Sequence, residues 1–161
     1  MNQDAQYFRR MIAVLRITLG VILLVTWYDN FTKGVYTADG INGLFNYIFN
    51  DTGGGSAAYR AVINGTILQT PGIFAAFQLV AELLLGLGLF FGGLTTLAGW
   101  GSFVFFLNLF LAYQGGSEWI WTYVLLTAAA FVVATTKSGR VWGLDQILYN
   151  TQGAPKSQWL W

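Results

Sequence analysis

Residues 71–113 read PGIFAAFQLVAELLLGLGLFFGGLTTLAGWGSFVFFLNLFLAY and carry a single charged side chain, Glu82. A helix needs about 20 mostly apolar residues to cross about 30 Å of hydrocarbon. Gly92 and Gly93 divide the run into two such pieces, residues 72–91 and 94–113. A link of two uncharged glycines leaves room for an antiparallel hairpin and little else. The run therefore predicts a pair of neighbouring transmembrane helices, and the rest of the chain is read outward from it.

Two further apolar stretches qualify, residues 11–28 before the hairpin and residues 118–136 after it. The link to the last one, Gln114-Gly115-Gly116-Ser117, is again too short for anything but a tight turn. Composition agrees: 55% of the 161 residues are hydrophobic and 9% are charged, against about a quarter charged in an ordinary soluble domain. This excludes a soluble enzyme. A formal net charge of +1 offers no basic surface for nucleic acid. The expected fold is an all-α membrane protein, a bundle of four transmembrane helices within residues 1–150, followed by a hydrophobic tail at 151–161 that ends Trp159-Leu160-Trp161. Arg9 and Arg10 precede the first helix, and Lys137, Arg140 and Lys156 follow the fourth. Basic residues favour the cytoplasmic side, so both termini are expected there, in a bacterial or archaeal inner membrane. The apolar stretch after Arg9 and Arg10 runs into bulky Trp27 and Tyr28 where a cleaved signal peptide needs small residues, so it reads as a retained helix.

The long excursion, residues 31–71, falls on the outer side. Ile41, Leu44, Phe45, Ile48 and Phe49 recur at helical spacing opposite Asn42 and Asn46. That pattern predicts a short amphipathic helix, flat on the outer interface or over the mouth of the bundle. After Gly53-Gly54-Gly55, Ser56 is placed to cap a second short helix holding Tyr59, Val62 and Ile63. Thr70 and Pro71 together read as cap and first residue of the next helix.

The chain has no cysteine and no histidine. It can supply neither a thiolate for an iron–sulfur cluster nor an imidazole for haem or zinc. No intrinsic cofactor is expected, and a bound molecule would be a quinone or a lipid. Glu82, near the middle of its helix, costs about 2.5 kcal/mol or more unless it is paired, protonated or facing a polar cavity. Arg16 is its expected partner across the first two helices. Two readings stand: a polar site for a quinone head group or proton, with Trp27 or Tyr28 at its mouth, and a structural ion pair fixing helix packing. Asp29 and Lys33, four apart, are placed to pair on the helix surface, and Asn108 needs an interhelical hydrogen bond. Small residues such as Gly86, Gly88, Gly92, Gly99, Gly101 and Ala134 allow close helix contacts, either within the chain or with another subunit.

Three segments resemble the DoxX/DoxD-like family of small four-helix membrane proteins. They are LRITLG at 15–20 with Lys33-Gly34 after it, ELLLG at 82–86 continuing to GGLT at 92–95, and SGRVWGLD at 138–145. The resemblance implies association with membrane redox systems, and it marks Arg16, Glu82, Arg140 and Asp145 as the matched polar positions. DoxD-type members resemble subunits of thiosulfate:quinone oxidoreductases; DoxX-type members are mostly assigned no chemistry of their own. Three functions are weighed. The leading one is an accessory subunit that packs against other membrane subunits of a larger quinone-linked complex, respiratory or photosynthetic. The others are a catalytic quinone-reducing subunit and a small transporter. Arg140 and Asp145 read as anchors for the segment after helix four rather than as reacting groups.

Overall fold

The computed structural model describes residues 3–153. The hydrophobic tail ending Trp159-Leu160-Trp161 lies outside them. Among the described residues the fold is all-helical, with α1 Gln3–Thr32, α2 Ala38–Asn46, α3 Ala57–Gly65, α4 Pro71–Phe91, α5 Thr95–Tyr113, α6 Trp121–Thr135 and α7 Leu144–Gln152. Three helices are long and apolar enough to cross a membrane: α1, α4 and α5, with 30, 21 and 19 residues. This fits a multi-pass membrane protein. The expected fourth span is shorter than its sequence pattern suggests. Helix α6 has 15 residues, about 22 Å at 1.5 Å per residue. Residues 118–120 do not extend it. Just upstream, the Ser117 amide donates to the Thr52 carbonyl at 2.9 Å, which draws the chain toward the excursion between α1 and α4.

Helix α1 packs on α4 and α5 on α6, and contacts of α4 with α5 and of α1 with α6 close the four into a bundle. Small residues set the register. A Cβ on Gly20 would strike the Phe90 backbone, and one on Gly86 would strike Leu24, so α1 and α4 run antiparallel with these pairs level. Gly101 meets Leu85, Gly88 meets Ala98, and Gly99 meets the Ala134 backbone. The small faces legible in the sequence thus find partners within the chain. The core between them contains Leu19, Leu23, Leu89, Phe106 and Val133.

The excursion forms a cap over one end of the bundle, the second of the two placements the sequence allowed. The Thr37 hydroxyl accepts from Gly40 N at 3.0 Å and starts α2. The Ser56 hydroxyl accepts from Tyr59 N at 3.2 Å and starts α3, as expected. A π turn, Tyr47–Asp51, follows α2 and lets the adjacent Ile48 and Phe49 both turn inward. With Ile41, Phe45 and Ile63 they form a second core against Ala75 of α4 and Ala112 of α5. Thr70 departs from its expected role. Its side chain makes no capping bond; its carbonyl instead accepts from Ile73 and Phe74 N at 3.1 and 3.2 Å, while Pro71 takes the first helical position.

Gly99 gives a direct test of the packing. A Cβ there would lie 2.7 Å from Ala134 Cα, and backbone cannot swing aside. Gly99→Ala is expected to lower thermal stability in detergent by about 1–3 kcal/mol, the ordinary cost of overpacking. Gly43→Ala in α2, with nothing within 4 Å of the added carbon, is expected to be neutral or to gain up to about 1 kcal/mol from helix propensity. Equal melting temperatures for the two variants would contradict the α5–α6 contact.

Candidate functional site

Beneath the cap lies a cavity of about 280 Å³ whose walls come from α1 through α6. Most of its lining is aliphatic or aromatic, and the polar side chains in it include Asn30, Tyr36, Tyr59, Gln78, Glu82 and Asn108. Glu82 is fully buried. Its Oε2 accepts from the Tyr36 hydroxyl at 2.8 Å and from Gln78 Nε2 at 3.2 Å. Its Oε1 has no partner among the described residues. Across the cavity the Tyr59 hydroxyl donates to Asn108 Oδ1 at 3.1 Å. Asn108 therefore makes the expected interhelical hydrogen bond, with α3 of the cap. Burial, and the bond to Glu82, hold the Tyr36 phenol above its usual range. Burial pushes Tyr59 up to about 12. Both phenols are thus neutral hydrogen-bonding groups at physiological pH. No lysine or arginine lines the cavity among the described residues.

Arg16 is not in this site. Extending the register of Gly20 with Phe90 in one direction brings Arg16 level with the turn after α4. Extending it the other way brings Glu82 level with Tyr28. The two are therefore about 18 Å apart along the bundle, counting 1.5 Å per residue. The expected Arg16–Glu82 pair does not form. Arg16, fully buried, instead donates through Nη1 to the Leu89 carbonyl at 2.8 Å and the Phe90 carbonyl at 3.4 Å. Its Nη2 donates to the Trp142 carbonyl at 3.0 Å and the Val141 carbonyl at 3.4 Å. Leu89 and Phe90 carry two of the terminal α4 carbonyls that the helix itself leaves unbonded.

The other two candidates also lie elsewhere. Trp27 Nε1 donates to the Leu79 carbonyl at 2.9 Å, and its ring stacks on Phe31. Tyr28 is exposed. Neither lines the cavity. Asp29 and Lys33 form the expected surface pair at 2.6 Å. Gln78 was legible, since it stands one turn before Glu82 on α4 and so shares its face. Tyr36 and Tyr59 were not, because the cap brings them in from residues distant in sequence.

Asp145 behaves as an anchor. Its carboxylate accepts from Leu94 N at 2.7 Å and Thr95 N at 2.9 Å, and its own amide donates to the Gly92 carbonyl at 2.8 Å. Helix α5 has no capping side chain of its own. Leu94 sits there with φ of 50°, and a residue fifty positions downstream supplies the cap. Arg140 stacks on the Tyr149 ring, 4.3 Å from its centroid. No protein-family model, curated protein or solved structure matches the chain.

Asp145→Asn tests the anchor. It keeps the shape, removes the charge that acts on Arg16 and puts an NH₂ where one amide needs an acceptor. A loss of about 2–4 kcal/mol in detergent is expected, in the range for breaking a buried charged network. Asp29→Asn, which breaks an exposed pair, should cost no more than about 1 kcal/mol.

Proposed function

We propose that the chain is an integral membrane subunit of a quinone-linked electron-transfer complex, and that it holds a quinone head group in the capped cavity. The observation that carries this reading is Glu82 Oε1, an unpartnered carboxyl oxygen buried in a mostly apolar chamber. An oxygen buried without a hydrogen bond costs about 1–3 kcal/mol, which a bound ligand would recover. A quinone ring with its substituents suits the chamber. About 280 Å³ is just under the range of ligand pockets, enough for one ring but not for an isoprenoid tail. A carboxyl group serves both redox forms: protonated, it donates to a quinone carbonyl; ionised, it accepts from a quinol hydroxyl. Asn30, Gln78 and Asn108 supply further hydrogen-bonding groups.

Electrons would reach the quinone from a partner subunit, because this chain has no cysteine or histidine to hold a cluster or a His-ligated haem. Four helices cross the membrane in this reading. Helix α6 lies antiparallel to α5, with Gly99 against Ala134 at one end and Tyr113 stacked on Tyr123 at the other. Exposed Trp119 and Trp121 mark its cap-side boundary. With Arg9, Arg10, Lys137 and Arg140 at the other end, both termini face the cytoplasm and the capped cavity opens toward the outer face. The resemblance to DoxX/DoxD-like proteins fits as well: the motifs around Arg16, residues 92–95 and residues 138–145 meet at one point of the fold.

Duroquinone binding to the purified protein tests the proposal. Glu82→Gln and Tyr36→Phe are expected to weaken it at least tenfold while leaving the melting temperature of the unliganded protein within a few degrees. No duroquinone binding by the native protein would leave a purely structural subunit as the better reading. So would binding that neither substitution alters.

A further inference from the structure

The end of the bundle opposite the cap gathers cations that the quinone site does not use. Arg9, Lys137 and Arg140 line a hollow of about 200 Å³. Arg9, Arg10 and Arg140 line an adjoining one of about 280 Å³. The two share Arg9, Arg140 and Val141. The cations come from different elements, two from α1 and two from the loop between α6 and α7, so the fold rather than local sequence collects them. Lys137 and Arg140 stand close enough for repulsion: burial first, and Arg140 second, hold the Lys137 amine below its usual range, while Asp145 opposes this. The acidic groups of this end are Asp4 and Asp145, and neither lines either hollow.

The loop that presents Lys137 and Arg140 is closely packed. Lys137 and Trp142 adopt left-handed backbone, with φ of 51° and 53°. A Cβ on Gly139 would strike Thr95 Oγ1 and Asp145 Oδ2, so the loop is pressed onto the start of α5 and its anchor. Ser138 lines the first hollow and is only 3% exposed. Its hydroxyl has no hydrogen-bond partner. Lys137 Nζ donates to Thr96 Oγ1 at 3.4 Å and Arg140 lies over the Tyr149 ring, and the gathering of cations beside the buried Ser138 hydroxyl suits a compact anion with several acceptor oxygens. An apolar part of the remaining wall, Phe8, Ile12 and Val141, stands beside Thr135 and Thr136. It continues onto the exposed Met11 and Val14 of α1, where an acyl chain could lie.

We propose that Arg9, Lys137, Arg140 and the Ser138 hydroxyl form a binding site for a phosphate group, carried by an anionic phospholipid or present as free phosphate. The site stands apart from the quinone cavity and does not depend on it.

The purified protein in detergent is titrated with phosphatidylglycerol, phosphatidylcholine and inorganic phosphate, and binding is followed by thermal shift and by native mass spectrometry. Phosphatidylglycerol is expected to bind and stabilise more strongly than phosphatidylcholine. Each cation removed is expected to weaken binding about fivefold, so Arg9→Gln/Lys137→Gln should weaken it at least tenfold. Lys33→Gln, at the far end and paired with Asp29, should change nothing. Arg9 is exposed, so Arg9→Gln alone retains the test even where the loop variant fails to fold. Displacement of phosphatidylglycerol by inorganic phosphate assigns the site to the free ion, and its absence assigns it to the lipid. Equal binding of the two lipids without any phosphate effect overturns the proposal. An equal loss in Lys33→Gln and Arg9→Gln also overturns it, because attraction to net charge alone then suffices.

Discussion

The fold depends on how one buried guanidinium is satisfied. Arg16 is fully buried and finds its acceptors inside the protein. It takes them from the carbonyls of Leu89, Phe90, Val141 and Trp142, which belong to the end of α4 and to the loop before α7. One side chain of α1 therefore ties together the two turns that reverse the chain at that end. Asp145 completes the tie from the other side, accepting from the first amides of α5 and acting on Arg16 through its charge. Neither residue would be tolerable alone in such a place, since an uncompensated buried charge is among the costliest defects a protein can carry.

That arrangement explains the glycine of the turn. Gly92 has φ of 66°, and a Cβ there would fall on Arg16 Nη1. Its carbonyl accepts from Asp145 N. A side chain at this position would displace the guanidinium and strain the turn together. The hairpin that two adjacent glycines announced in the sequence is thus also the floor of the Arg16 pocket. Its shortness lets residues from α1, α4, α5 and the last loop meet within one layer.

Much of this was legible from residue patterns, and what was missed has a physical reason. Hydropathy and the glycine links mark α1, α4, α5 and α6 in order, with α6 shorter than its apolar stretch. The helical spacing of Ile41, Phe45, Ile48 and Phe49 gave an amphipathic helix, and its place over the bundle rather than flat on the interface came only with the fold. Glu82 stood out because carboxyl groups are scarce in hydrocarbon. The register did not follow. Pairing Arg16 with Glu82 assumed that opposite charges on neighbouring helices meet, yet steric fit at Gly20 and Gly86 sets the sliding of α1 on α4. The Nη atoms of Arg16 bond to carbonyls while its Nε finds no partner among the described residues, and nothing in a sequence marks which carbonyls a turn leaves free. That Tyr36 and Tyr59 face the cavity is not legible for a related reason. Their positions depend on the path of the cap, which rests on the π turn after α2 and on the amide bonds joining residues 52–55 to 114–117.

Separating Arg16 from Glu82 has a consequence for the cavity. With the guanidinium held by carbonyls at the far end, no cation of the described chain reaches Glu82, and the groups acting on it are neutral: Tyr36, Gln78 and the Asn30 amide. A carboxyl group held this way keeps one oxygen without a hydrogen bond. A fixed salt bridge would have saturated that oxygen and locked its charge. The same carboxyl group that would be a packing element beside Arg16 is, under the cap, an adaptable polar group in an apolar chamber. The proposed quinone chemistry therefore rests on the geometric register of α1 against α4 as much as on the identity of residue 82.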